Sequence, residues 1–97
     1  MGHFTIIVYS NAHYQDPKES YTLPHFETYD DALQKAMVMV EEDIKRLYAP
    51  GMPVTELLAL FKLYGEDPVI SPELDANNPF LSWYYAENLA RELCNPV

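Results

Sequence analysis

The sequence predicts an α+β fold, a small antiparallel sheet of about three strands with three helices packed mainly on one face. Two segments near the N-terminus are rich in β-branched and aromatic residues, as strands are. Three later segments repeat apolar residues at helical spacing, and the short apolar run PVI lies between the last two. A chain of 97 residues is one domain's worth, so 1–97 is expected to form a single α+β domain.

The two N-terminal strands are predicted at 4–10 and 20–26. In FTIIVYS both alternating faces are apolar, which is typical of an inner strand covered at least partly on both sides. The second strand, SYTLPHF, contains Pro24, which has no N–H for a ladder hydrogen bond, so it is expected at an edge of the sheet. The two strands are expected to be antiparallel neighbours because consecutive strands usually pair.

A first helix is predicted at 29–48. Thr28 is a good N-cap residue, and Asp31 follows it at the spacing of a capping box. The sequence Ala49-Pro50-Gly51 ends the helix. Its apolar stripe consists of Leu33, Ala36, Met37, Val40, Ile44 and Leu47.

A second helix is predicted at 53–64, with Pro53 near its first position, where a missing N–H does no harm. Apolar residues cover most of its circumference, and its only charges are Glu56 and Lys62. A helix this apolar must be buried on two sides, either within the domain or across a subunit interface.

The stretch KLYGEDPVI raises the question of whether Glu66 and Asp67 form a metal-binding or catalytic pair. Gly65 is expected to adopt the left-handed conformation that often ends a helix. Asp67 precedes Pro68, which favours an extended backbone and a short strand at 68–70. Adjacent carboxylates on an extended chain point in opposite directions. The pair is therefore interpreted as a boundary between helix and strand, with no metal bound there.

A last helix is predicted at 80–94, opened by Asn78-Pro79 or by Ser82. Its packing face consists of Trp83, Ala86, Leu89, Ala90 and Leu93. Neighbouring helix residues lie about 100° apart, so the aromatic residues at its start cannot all face inward. Tyr84 or Tyr85 must lie nearer the surface, either as ordinary amphipathic packing or as part of a binding patch.

Composition argues against several classes of protein. Six basic residues against 15 acidic ones give a net charge of −9, which disfavours binding to nucleic acid or to an anionic membrane. No apolar run approaches the ~20 residues of a membrane-spanning helix. The single cysteine, Cys94, cannot form an internal disulfide, which fits a reducing compartment. A cytoplasmic protein is therefore expected.

The succession FETYDDA, PGM, YGEDPVI and WYYA, ending in Leu93-Cys94, resembles a group of small acidic bacterial proteins without an assigned activity. The resemblance spans most of the chain. It implies a bacterial cytoplasmic protein with an α+β fold, and it implies no activity, cofactor or catalytic residue.

No motif for catalysis or for a cofactor is present in the sequence, so an enzymatic function is not the favoured interpretation. His13, Asp16 and His25 offer a set of metal-ligand types, but their spacing matches no known motif. The same loop and strand could instead hold a small ligand near His13, Tyr14 and His25.

The favoured function is a protein-interaction module that associates with itself as a homodimer, or with another protein. The candidate interaction patch consists of Leu60, Leu63, Phe80, Trp83, Tyr84 and Tyr85. One alternative is a small-ligand binder or enzyme with its pocket near 11–26. A further alternative is an acidic mimic of nucleic acid, which would need carboxylates spaced like phosphates.

Overall fold

The computed structural model describes residues 3–11, 20–72 and 79–94. This part of the chain forms one three-stranded antiparallel sheet and three helices, which confirms the predicted α+β class. The elements in chain order are β1 (Phe4–Ser10), β2 (Ser20–Phe26), α1 (Tyr29–Leu47), α2 (Val54–Tyr64), β3 (Glu66–Ser71) and α3 (Ser82–Cys94).

The strand order is β2-β1-β3, so β1 is the inner strand, as its two apolar faces predicted. β2 pairs antiparallel with β1 and lies at an edge, where the missing N–H of Pro24 is tolerated. The register shifts between Phe4 and Ile6, which pair with Phe26 and Leu23. At this bulge His25 adopts a positive φ of 69°.

β3 is longer than the predicted strand 68–70. All six of its residues pair with β1, and Glu66 and Asp67 lie opposite Ser10 and Tyr9. The local pattern before Pro68 indicated only an extended chain, whereas the length of β1 determines where pairing begins. The prediction that 66 and 67 form a boundary before the strand was therefore wrong in its limits.

The first of two core clusters lies between the sheet and the N-terminal half of α1. Its buried residues are Ile6, Val8, Ala32, Ala36 and Ile70. Small alanine side chains on α1 let the helix approach the branched side chains of the strands closely. The predicted cap is confirmed, because the Asp31 N–H donates to the Thr28 hydroxyl at 3.1 Å. The helix ends at Leu47, one residue before the predicted end, with Tyr48 as its C-cap.

The second cluster lies among the three helices. Its buried residues are Val40, Ile44, Leu57, Phe61, Ala86 and Ala90. α1 therefore has one buried stripe. The first half of this stripe packs against the sheet, and the second half packs against the other two helices. Of the predicted stripe, Ala36, Val40 and Ile44 are buried. Leu33, Met37 and Leu47 are half-buried, and Ala32 completes the stripe instead.

α2 packs against α1 and α3. Pro53 is its N-cap and Val54 its first residue, one position later than predicted. Leu57 and Phe61 are buried, whereas Leu63 and Tyr64 are exposed. Among the described residues α2 is thus buried on one side, and nothing there covers the second side whose burial its composition predicted.

Gly65 does not have the left-handed conformation predicted for it. Its φ of −88° and ψ of 176° are extended, and its N–H donates to the Phe61 carbonyl. The position favours glycine for a different reason, since a Cβ there would clash with the Phe61 ring and lie 2.7 Å from the Phe61 carbonyl oxygen. The close approach of the backbone to that ring excludes a side chain.

Candidate functional site

Exposed apolar side chains concentrate where the end of α2 meets the start of α3. Leu63 and Tyr64 are 56% and 63% exposed, and Tyr84 in the first turn of α3 is 66% exposed. The Phe61 and Trp83 rings join the two helices edge to face, with centroids 5.3 Å apart. These side chains therefore lie at one end of the helical layer.

The structure assigns the other predicted patch residues mainly to internal contacts. Phe80 packs against both core clusters, and Leu60 is half-buried. The Tyr85 hydroxyl donates to the Glu41 carboxylate, and burial together with this bond raises the pKa of Tyr85 to about 12. Trp83 is 37% exposed despite its contact with Phe61. Of the six, Leu63 and Tyr84 are the most exposed.

Hydrogen bonds on both sides hold the C-terminal end of α2. Arg46 Nη2 on α1 donates to the Tyr64 carbonyl at 3.2 Å and to the Asp43 carboxylate at 3.1 Å. The other Asp43 oxygen accepts from the Glu66 N–H at 2.9 Å. On the other side, Nδ2 of Asn11, the residue after β1, donates to the Phe61 carbonyl at 2.9 Å. Leu63 and Tyr64 are therefore presented from a fixed backbone.

A second feature of this end is the buried carboxyl of Asp67, which is 6% exposed. It accepts a hydrogen bond from the hydroxyl of Ser82, the first residue of α3. Burial raises the pKa of Asp67 above its ordinary value, and the Ser82 hydrogen bond offsets part of this rise.

Glu66 and Asp67 turn to opposite sides of β3, as the extended backbone predicted. Glu66 accepts a hydrogen bond from Tyr21, whose pKa is raised to about 12 by burial and then by this neighbour. Sequence reasoning missed that Asp67 is buried and meets Ser82, because the two residues are 15 positions apart. Alternation along the strand places Asp67 on the same side as Val69, which is 36% exposed, so this pattern gave no signal of the burial.

The predicted ligand site near 11–26 lies mostly outside the described residues, since His13, Tyr14 and Asp16 fall in 12–19. His25 is exposed in the bulge of β2. Among residues 3–11, 20–72 and 79–94, no group of three or more His, Cys, Asp or Glu side chains could hold a metal ion. A ligand site in this region stays a prediction.

Within the described ranges, no helix is both long and apolar enough to cross a membrane.

Comparisons of the chain with protein-family models, with curated proteins and with solved structures gave no match.

Proposed function

We propose that the protein is an interaction module that associates with itself through the outer side of α2. The observation that carries this proposal is the exposure of Leu63 and Tyr64 on a helix with only two charged residues, Glu56 and Lys62. Exposed apolar patches of this kind commonly mark protein contacts. Leu60 lies at helical spacing from both residues and extends the same side.

Charge also favours α2 as the contact. The whole chain carries −9, so two copies repel each other over most of their surfaces. α2 carries one acidic and one basic residue and is therefore locally neutral. Electrostatic repulsion between two copies is therefore weakest where they meet along α2.

The edges of the sheet are poorer candidates for pairing between copies. Each edge strand contains a proline, Pro24 in β2 and Pro68 in β3, that cannot donate a backbone hydrogen bond. On β3 the Glu66 N–H is already bonded to Asp43. The open helix surface is therefore favoured over strand addition.

A two-fold homodimer with α2 against α2 is the simplest arrangement, because one patch then serves both copies. An 11-residue helix is about 16 Å long, so the contact is small and the dimer is expected to dissociate at micromolar concentrations.

The proposal includes a reducing, cytoplasmic location. The single cysteine, Cys94, is free and half-buried, as expected of a protein that forms no disulfide.

Sedimentation velocity or light scattering from about 1 to 500 μM tests the proposal, at low and at high salt. We expect a concentration-dependent dimer that strengthens with salt, since salt screens the repulsion between acidic copies. Leu63→Glu and Tyr64→Glu should each give a monomer.

Val38→Glu is the matched control, because Val38 is an apolar residue on α1 that is 39% exposed and the change adds the same charge. It should leave the dimer intact. A monodisperse monomer at every concentration would overturn the proposal. Equal dissociation by Val38→Glu and Leu63→Glu would show that added charge, and not the α2 surface, controls association.

A further inference from the structure

A cleft of about 240 Å³ opens between β3 and the start of α3. It is lined by Asp67, Val69, Pro79, Phe80, Leu81, Ser82 and Trp83. Asp67 and Ser82 are the two polar side chains among these, and the remaining walls are apolar or aromatic. Concave sites with apolar walls and a few fixed polar groups are typical of small-molecule binding.

The Asp67 carboxyl has no basic partner among residues 3–11, 20–72 and 79–94. Its hydrogen-bond partner is the neutral Ser82 hydroxyl. In the part of the chain that the structure describes, the ion pairs are Arg46 with Asp43 and Arg91 with Glu87, and none of these four residues lines the cleft. A buried carboxylate without a counter-charge is energetically costly, and a cation entering the cleft would remove that cost.

We propose that this cleft binds a small organic cation, a primary ammonium attached to an apolar or aromatic body, with Asp67 as its counter-ion. The ammonium would form a charge-assisted hydrogen bond with the carboxylate. The Trp83 and Phe80 rings would contact the apolar body, and an aromatic face also attracts a cation. One carboxylate and one hydroxyl are too few ligands for a metal ion, which favours an organic cation.

The size and the net charge of the protein point to the same ligand class. A volume of about 240 Å³ is just below the usual range of ligand pockets, so the cleft suits a small ligand such as a single ring with a short amine chain. The net charge of −9 raises the local concentration of cations near the surface. The cleft is lined by other residues than the exposed α2 side chains, so binding does not depend on self-association.

Trp83 is the single tryptophan of the chain and lines the cleft, so its fluorescence reports on occupancy directly. The probe is 2-phenylethylamine, which is charged at pH 7, and the matched neutral probe is 2-phenylethanol. We expect a saturable change in Trp83 emission with the amine, and at least about tenfold weaker binding of the alcohol, because an uncharged group forms no ion pair with Asp67.

Asp67→Asn removes the charge with little change of shape and should weaken binding of the amine at least about tenfold. Glu66→Gln removes the adjacent charge, which faces the other side of β3, and should change the affinity less than about twofold. Circular dichroism verifies that each variant is folded. Equal affinity for the amine and the alcohol in the unmodified protein, absence of a saturable response to the amine, or unchanged affinity in Asp67→Asn would each overturn the proposal.

Discussion

α1 and α2 pack against each other but differ in how sequence and burial correspond. In α1 the buried residues recur at every fourth position, and charged residues occupy other positions along its length. In α2 apolar residues cover most of the circumference, and the described part of the chain buries one side. The amphipathic pattern of α1 determines which face turns inward. The more uniform pattern of α2 does not determine which face is buried, so the packing of α1 and α3 determines it. The apolar residues of α2 that face away from these helices are exposed.

The largest expected difference is between the two sides of α2. Phe61→Ala should lower the free energy of unfolding by about 3–5 kcal/mol, because Phe61 is fully buried among the three helices. Leu63→Ala should change it by less than about 0.5 kcal/mol in the monomer, since Leu63 faces solvent. Urea denaturation at low protein concentration measures both. Similar losses for the two variants would mean that α2 is enclosed on both sides.

A smaller effect is expected where the sheet meets α3. Asp67→Asn should raise the free energy of unfolding at pH 7 by about 1–3 kcal/mol, because it removes a buried charge while the amide oxygen can still accept from Ser82. The pKa of Asp67 is higher in the folded than in the unfolded protein, so the protonated carboxyl favours the folded state. This stabilisation is complete below the ordinary pKa of 3.8 and is lost as the pH rises through the pKa of the folded state.

The gain from Asp67→Asn over the unmodified protein should therefore be smallest in acid and grow towards neutral pH. Thermal denaturation followed by circular dichroism from pH 3 to pH 8 gives this difference curve. Glu42→Gln is the control, since it removes one negative charge from an exposed position on α1. A difference that is flat with pH for Asp67→Asn, or one that Glu42→Gln reproduces, would contradict the assignment to Asp67.

The smallest effect concerns how the two helices begin. α1 has a side-chain cap, with Thr28 accepting from the Asp31 N–H, whereas Pro53 at the start of α2 makes no such bond. Thr28→Ala should therefore cost about 1 kcal/mol of unfolding free energy, measured by urea denaturation. Thr55→Ala, an exposed change in the first turn of α2, should cost less than about 0.5 kcal/mol. Equal losses of unfolding free energy in Thr28→Ala and Thr55→Ala would contradict a stabilising role for the Thr28 cap.

Much of the fold was predictable because the signals are local. Thr28, Pro53 and the apolar runs of β1 and β2 act over a few residues, and the observed elements agree with their predicted limits within two positions. Part of the candidate patch was predictable for the same reason, since the aromatic residues of α3 are consecutive and cannot all face inward. Tyr84 is the most exposed of these, although sequence alone left Tyr84 and Tyr85 as alternatives.

The cleft was not predictable, because it depends on residues that are distant in the chain. Asp67 is buried through its pairing opposite Tyr9 and its contact with Ser82, and neither relation has a local signature. Gly65 shows the same limit, since its position after a helix suggested a left-handed turn while the nearby Phe61 ring was the actual constraint.

The sequence by itself determined the fold class, the helix and strand segments, the cap of α1 and the excess of apolar surface on α2. Spacing, turn residues and composition are properties of neighbouring residues, and they act before the chain folds. Only the tertiary structure decided the length of β3, the side of α2 that faces outward and the burial of Asp67 beside Ser82. Strand pairing and burial depend on which distant segments meet, and that outcome is set by the packing of the whole domain.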